Sequence, residues 1–388
     1  MITHLISIMP FMVCIFWLVT LVADYRHWQY RANIWLAVFM AVTAVLYASH
    51  FIFFNHVLSI IPLSDCIYTF ANLAVYPLFY FYVSHLSSHK PISRPRMAAL
   101  LLPACICSAT VAVLYSLMSP EQTHDFISHF LYHNELKSSS PIIEYQIITH
   151  IVARVCFAGL VIFSLLMSIR AIMSLNRIIH NNYTNLDGKD TSPYVWLLIL
   201  MATASIVGFI ANALGKHLFA DNNLVLLIPA IIFSSILYAI GFLGFKMRFS
   251  IKDIINDDII ITSETDDIII TSETDDNTSI DKIREQIQDI MRQEKLFLQP
   301  NLKINDIAQL IGTNRHYIYQ AINGQMGASF NDFINKQRID YALQLMKDKP
   351  NLTINEVALQ SGFTSQASFY RNFKKFVGTS PRTFLTPQ

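Results

Sequence analysis

The sequence predicts an all-α chain: a seven-transmembrane helix bundle followed by a soluble domain of two helix-turn-helix units joined by a long helix. Three observations carry this expectation. Of the 388 residues, 53% are apolar and only 14% charged, against roughly 25% charged in soluble domains. Charges are sparse up to Phe245 and dense after Ile251, which confines the apolar part to an N-terminal block. Near the C-terminus, "INDIAQLIG" from Ile304 and "INEVALQSG" from Ile354 repeat one pattern at the same internal spacing.

These shifts set three segments: a membrane domain over 1–250, an acidic linker over 251–280 and a soluble domain over 281–388. The net charge of +1 hides their difference. The first carries 13 basic and 9 acidic residues, the second 1 and 9, the third 14 and 9. Only the last is both soluble and basic, which suits a polyanionic partner.

A bilayer core of about 30 Å takes roughly 20 apolar residues in a helix. The chain supplies that length over 5–23, 34–54, 66–86, 97–118, 145–173, 194–214 and 224–245. The first stretch lacks a basic leader and a small-residue cleavage site before Asp24, so it reads as a retained span. Loops after spans one, three and five hold Arg26 and Arg31, then Lys90, Arg94 and Arg96, then Arg177 and Lys189 beside Arg170. Loops after spans two, four and six hold none, Lys137 and Lys216. This asymmetry places the N-terminus outside and the C-terminus in the cytoplasm, with Lys246, Arg248 and Lys252 anchoring the last span.

Pro77, Pro103 and Pro229 interrupt three spans; their kinks either shape a ligand cavity or are the prolines common in membrane helices. Arg154 is the strong charge placed well inside a span. It either senses a ligand, such as a carboxylate, or snorkels to the outer interface near Glu144. Asp125, His129 and His133, spaced four apart, would share a helical face, an arrangement suited to a divalent metal or simply to a polar loop helix. Cys14, Cys66, Cys105, Cys107 and Cys156 fall in or beside apolar spans without metal spacing and read as buried small residues. The sequence implies neither a cofactor nor a resident metal, and no nucleophile and base pair or glycine-rich phosphate loop marks an enzyme.

From Asp257 the linker reads "DDIIITSET DDIIITSET DD", a nine-residue unit repeated without variation. Its eight acids favour an extended, solvated spacer, whereas its isoleucine triplets favour strand pairing between protomers.

Beyond it, Ile283, Ile287, Ile290 and Met291 line one face of a helix that Pro300 is expected to stop. Asn305 is the expected cap of the next helix, Ala308 permits close approach, and Gly312 can take positive φ. Asn314 caps a second helix that buries Ile318 and Ile322. In the second unit Ile354, Asn355, Val357, Ala358 and Gly362 follow their counterparts by fifty positions; after the turn the offset is fifty-one, so Phe369 and Phe373 replace Ile318 and Ile322. A long helix over 330–346 lies between, with Phe333, Ile334, Ile339, Leu343 and Leu345 able to pack on both units.

This part of the chain, about 281–388, resembles the AraC/XylS family of transcription regulators. The resemblance is most specific in "INEVALQSGFTSQASFYRNFKKFVGTSPRTF", through Gly362, Phe363, Phe369, Arg371, Phe373, Lys374, Gly378, Ser380, Pro381 and Phe384. Leu385 stands where the family usually has Arg, and nothing in 1–250 resembles the family's soluble sugar-binding domain. The resemblance implies double-stranded DNA as partner, with the second helix of each unit entering successive major grooves about 34 Å apart. Residues off the buried faces are then the candidates for base edges: Arg315, His316, Tyr319 and Gln320 in the first unit, and Gln366, Ser368, Tyr370 and Arg371 in the second. Tyr319 and Tyr370 have an alternative as covers of the core. Asn323, Lys374, Lys375 and Arg382 suit phosphate, Lys375 alternatively being an ordinary solvated charge.

Together these readings describe a membrane-embedded one-component regulator whose DNA binding answers a small-molecule or membrane signal. A homodimer would gain from paired DNA sites. The competing readings are a transporter or membrane enzyme with an autoregulatory DNA-binding tail, and a regulator merely anchored in the bilayer. Absence of an internal duplication in the apolar half argues against transport.

Overall fold

The computed structural model describes residues 2–23, 31–87, 92–136, 140–186, 191–214, 223–246, 276–325 and 327–385. The described residues are helical with no strand; the antiparallel bridge between Tyr183 and Lys303 is isolated. Two compact units form, Met1–Met173 with Thr191–Ile251, and Ser174–Asp190 with Lys252–Gln388. The second unit therefore takes in a segment from between the fifth and sixth spans, which the three-segment reading of the sequence had left with the membrane domain. The nine-residue linker repeat lies outside the described residues, as do Arg26, Lys90, Lys137, Lys189, Lys216, Arg248 and Lys252 among the orienting charges.

The first unit contains α1 (Ile2–Ala23), α2 (Arg31–Phe54), α3 (Ile61–Ser87), α4 (Arg94–Leu117), a short α5 (Pro120–Asp125), α6 through its N-terminal part (Pro141–Asn182 in full), α7 (Ser192–Leu214) and α8 (Asn223–Lys246). All but α5 are long and apolar enough to cross a membrane, the seven spans expected. Their apolar residues lie on every side: Phe39, Phe79 and Phe81 are fully buried, while Phe16, Leu102 and Val155 are exposed. Helices apolar all round suit lipid outside and packing inside. Pro77, Pro103 and Pro229 sit within α3, α4 and α8, and Pro10 within α1; each helix runs on through its proline.

The connection after α4 is built rather than loose. Ser119 and Gln122 form a reciprocal capping box at α5. The chain then winds as a π-helix over Phe126–Tyr132 and buries Phe126, Phe130 and Tyr132, whose hydroxyl donates to the Phe53 carbonyl at 2.8 Å. The wider winding changes the register that would have aligned Asp125, His129 and His133. His129 lies 3.4 Å from Asp125 and 3.1 Å from Glu135. His133 instead meets the Ser128 carbonyl through Nδ1 at 2.6 Å, so the three side chains do not converge.

Arg154 donates to Asn134 Oδ1 at 3.0 Å and stacks over Phe130. It is not the sole charge inside a span, because α3 begins at Ile61, one turn before the hydropathy onset, and so encloses Asp65. Asp65 is buried and accepts from the Tyr115 hydroxyl at 2.9 Å, with His150 Nε2 at 3.0 Å.

The second unit contains α9 (Asp276–Gln293), a 3-10 turn Leu296–Leu298, α10 (Ile304–Ile311), α11 (Arg315–Tyr319) continued as a π-helix Gln320–Gln325, α12 (Phe330–Asp348), α13 (Ile354–Gln360), α14 (Gln366–Val377) and α15 (Pro381–Leu385). Helix α9 stops at Gln293, before Pro300, and Lys295 turns the chain at φ 50°. The cap of α10 is Lys303 rather than Asn305: Asp306 Oδ2 accepts from the Lys303 amide at 2.7 Å.

Candidate nucleic-acid interface

Two cores hold the two helix-turn-helix units, and α12 belongs to both. Its first half contributes Phe330 and Ile334 to a cluster with Ile287, Ile307, Ala308, Ile318 and Ile322. Its second half contributes Ile339, Ala342 and Met346 to a cluster with Val357, Ala358, Phe363, Phe369 and Phe373. The pairs matched by subtraction across the repeat, Ile318 with Phe369 and Ile322 with Phe373, are all fully buried. A shared helix fixes the two units relative to each other, as two readers on one DNA face would need.

Each second helix starts at a side-chain cap. Asn314 Oδ1 accepts from the amides of His316 at 2.9 Å and Tyr317 at 3.3 Å, and Ser365 Oγ accepts from that of Ser368 at 3.1 Å. The intervening turns use glycine. Gly312 has φ 73°, and Gly362 has φ 85° with its α-carbon so close to the Leu298 backbone that a β-carbon would lie 2.8 Å from that carbonyl oxygen. The second helices differ in form: α14 is a regular helix of 12 residues, whereas α11 gives way to the π-helix after 5.

Burial sorts the base-edge candidates. Arg315, His316, Tyr319, Gln366 and Arg371 are exposed, and Gln320 is half-buried with Nε2 3.0 Å from His316 Nε2. Ser368, in the first turn of α14 with its amide donating to Ser365 Oγ, is only 8% exposed. The matched tyrosines part company, since Tyr319 is exposed and Tyr370 packs on the second core. Among the phosphate candidates, Lys374 and Arg382 are exposed. Lys375 pairs with Asp332 of α12, and Asn323 donates to Asn181 Oδ1 at 3.4 Å.

The periodicity of the sequence did not reveal Arg338. This α12 side chain is 1% exposed, yet donates from Nε to the Phe297 carbonyl at 2.6 Å and from Nη2 to that of Gln299 at 2.8 Å. Nη1 reaches Asn335 Oδ1 at 3.2 Å, and the guanidinium lies over Phe363 of the second unit. Burial pushes its pKa down to about 10, so it stays charged at neutral pH.

Beside it docks the end of α6. Tyr183 and Thr184 are buried in this second unit. Asn331 Nδ2 donates to both their carbonyls at 2.9 Å, Asn335 Nδ2 donates to that of Thr184 at 3.2 Å, and the Thr184 hydroxyl donates to the Leu302 carbonyl at 2.8 Å. Lys303 lies over the Tyr183 ring. The residues that follow α6 thus meet the shared helix α12 and the Leu302–Lys303 entry to the first helix-turn-helix unit.

Comparison with known proteins agrees with this architecture. Residues 307–386 match the family described as a helix-turn-helix domain. Over 100 residues the chain is 31% identical to the "Probable transcription factor PqrA" of Proteus vulgaris, a match covering 25% of this chain and 81% of that protein. It is 27% identical over 100 residues to an uncharacterized HTH-type transcriptional regulator of Staphylococcus aureus (strain COL), covering 26% of this chain and 13% of the relative. A 27% match over 108 residues to the Msm operon regulatory protein of Streptococcus mutans covers 28% of this chain and 37% of that protein. The chain therefore spans only about an eighth of the length of the staphylococcal relatives. No solved structure matches the chain.

Proposed function

The chain belongs to the AraC-type helix-turn-helix transcription regulators, and we propose that it is a bacterial inner-membrane one-component regulator whose DNA binding answers a signal perceived by its seven-helix bundle. The observation that carries this reading is the docking of Tyr183 and Thr184, at the end of α6, into the unit that carries both helix-turn-helix pairs. A passive anchor requires no such contact; a tether after α8 would suffice. In this reading 1–250 is the sensor, its segment 174–190 packing with the reader, 251–280 the acidic spacer and 281–388 the reader, with the N-terminus outside and the reader in the cytoplasm.

In this proposal Arg315, His316, Tyr319, Gln320, Gln366 and Arg371 meet base edges, Tyr370 supports α14 from its inner side, and Lys374 and Arg382 meet phosphate. Asn323 and Lys375 reach phosphate only on leaving Asn181 and Asp332. Arg154 holds the connection after α4 through Asn134.

The test separates specific from nonspecific contacts in the full-length protein in nanodiscs, on operators recovered by genome-wide binding of the tagged protein. Arg371→Ala is expected to cost about 1 to 3 kcal/mol and to relax preference at one base pair. Lys374→Ala is expected to weaken all sequences alike and to lower the salt slope by about one ion. Equal effects of both substitutions on specific and random DNA would reject these roles.

A further inference from the structure

We infer that the membrane bundle contains a binding site for a small uncharged lipophile carrying one hydroxyl or carbonyl group. The inference deepens the proposed sensor function and rests on it for its biological meaning.

A cavity of about 180 Å³ lies among α1, α2, α3, α6, α7 and α8. An engineered apolar cavity of about 150 Å³ holds benzene, so this one accommodates a single ring or a short chain. Its wall is mainly apolar, with Phe39, Phe157, Phe233 and Leu237 contributing. Pro229, within α8, lines it as well.

Two polar side chains in the wall identify the ligand chemistry. The Tyr47 hydroxyl and the Asn72 carboxamide line the cavity and find no hydrogen-bond partner among the described residues. Among the other polar groups in the wall, the Thr43 hydroxyl donates to the Phe39 carbonyl at 2.7 Å, the Tyr76 hydroxyl accepts from Ser205 at 2.8 Å, and the Ser7 hydroxyl accepts from Asn55 Nδ2 at 3.0 Å. In a bilayer interior an unpaired polar group is costly, and a hydroxyl or carbonyl on an occupant would satisfy both Tyr47 and Asn72. No Lys, Arg, Asp or Glu lines the cavity, and its one imidazole, His50, packs among the rings of Tyr47, Phe54 and Tyr68, so an ionised ligand would meet no permanent counter-charge there. The occupant is therefore neutral and amphiphilic, able to enter from the membrane.

The full-length protein in nanodiscs is photolabelled with a diazirine-bearing pentanol, with benzyl alcohol and toluene as competitors, and adducts are mapped by mass spectrometry. Adducts are expected on cavity-lining residues of α2 and α8 and are expected to fall with benzyl alcohol. Tyr47→Phe, which changes only the hydroxyl, should weaken protection by benzyl alcohol about fivefold and leave protection by toluene unchanged. Ala204→Phe, which fills the cavity, should abolish the adducts. Labelling spread evenly over exposed positions such as Phe16, Leu102 and Val155, or protection indifferent to Tyr47→Phe, overturns the site. Promoter output measured with benzyl alcohol separates the two claims: labelling at the cavity with unchanged output upholds the site and rejects the sensor. A membrane-dependent response without cavity labelling rejects the site and leaves the sensor.

Discussion

Arg338 shows what a single residue can do when its burial is not announced by its neighbours. A guanidinium moved out of water is costly unless its donors are met, and here the Phe297 and Gln299 carbonyls meet two of them in the stretch that leads into the first helix-turn-helix unit. Its position over Phe363 extends the same side chain to the second unit. Arg338→Met should cost about 3 kcal/mol, because two buried carbonyls lose charged donors at once. The measurement is the protease susceptibility of residues 276–385 in the nanodisc-embedded protein: cleavage should rise steeply in the Met variant and less in Arg338→Lys, which can still serve one carbonyl. A Met variant as resistant as the wild type would remove Arg338 as a hub. Helical spacing could not find this residue, since an arginine on α12 reads as surface until the partners, some forty positions earlier, are in view. Ser368 shows the opposite case: its polarity suggested groove contact, while the fold leaves it only 8% exposed.

At the scale of elements, much more was legible. The repeat beginning at Ile304 and Ile354 located α10 and α13, and the one-residue change of offset after the turn correctly matched Ile318 with Phe369 in the cores. Such patterns survive because burial on one helix face is a local property of the chain. Caps were less legible, as Asn305 yielded to Lys303, but α13 has a complete capping box in Thr353 and Glu356. The Thr353 amide and hydroxyl each donate to Glu356 Oε2 at 2.8 Å, and these bonds hold the Glu356 carboxyl below its ordinary value of 4.5. A depressed carboxylate stabilises the fold above its unfolded value, and that contribution fades as pH falls through the lower folded value. Thr353→Ala should cost about 1 kcal/mol at neutral pH, and accelerate hydrogen exchange at the Glu356 and Val357 amides about fivefold. Below pH 4 the difference between variant and wild type should narrow; a difference independent of pH would assign the cap to the Thr353 hydroxyl alone.

For the molecule as a whole, the decisive feature joins residues far apart in sequence, and no pattern within 1–250 or 281–388 alone could have exposed it. Helix α6 has 42 residues, about 63 Å at 1.5 Å per residue, against a bilayer core of about 30 Å. It is continuous from Pro141, in the first unit, to Asn182, where its last turns already belong to the second. A rigid helix passes rotation and translation along its length, whereas an acidic spacer of the composition of 251–280 transmits little beyond reach. If α6 carries the signal, interrupting it should uncouple the two units without harming either. Insertion of three glycines after Met173 would break helix continuity at the junction of the two units, at roughly 1 kcal/mol per glycine. The expected outcome is promoter output held at one level in cells, while the purified full-length variant binds its operator as tightly as the wild type. The same three glycines inserted after Ile255 should leave regulation intact. If the insertion after Met173 regulates normally, coupling does not run through α6, and the contacts of Asn331 and Asn335 with Thr184 are structural supports of the DNA-reading unit.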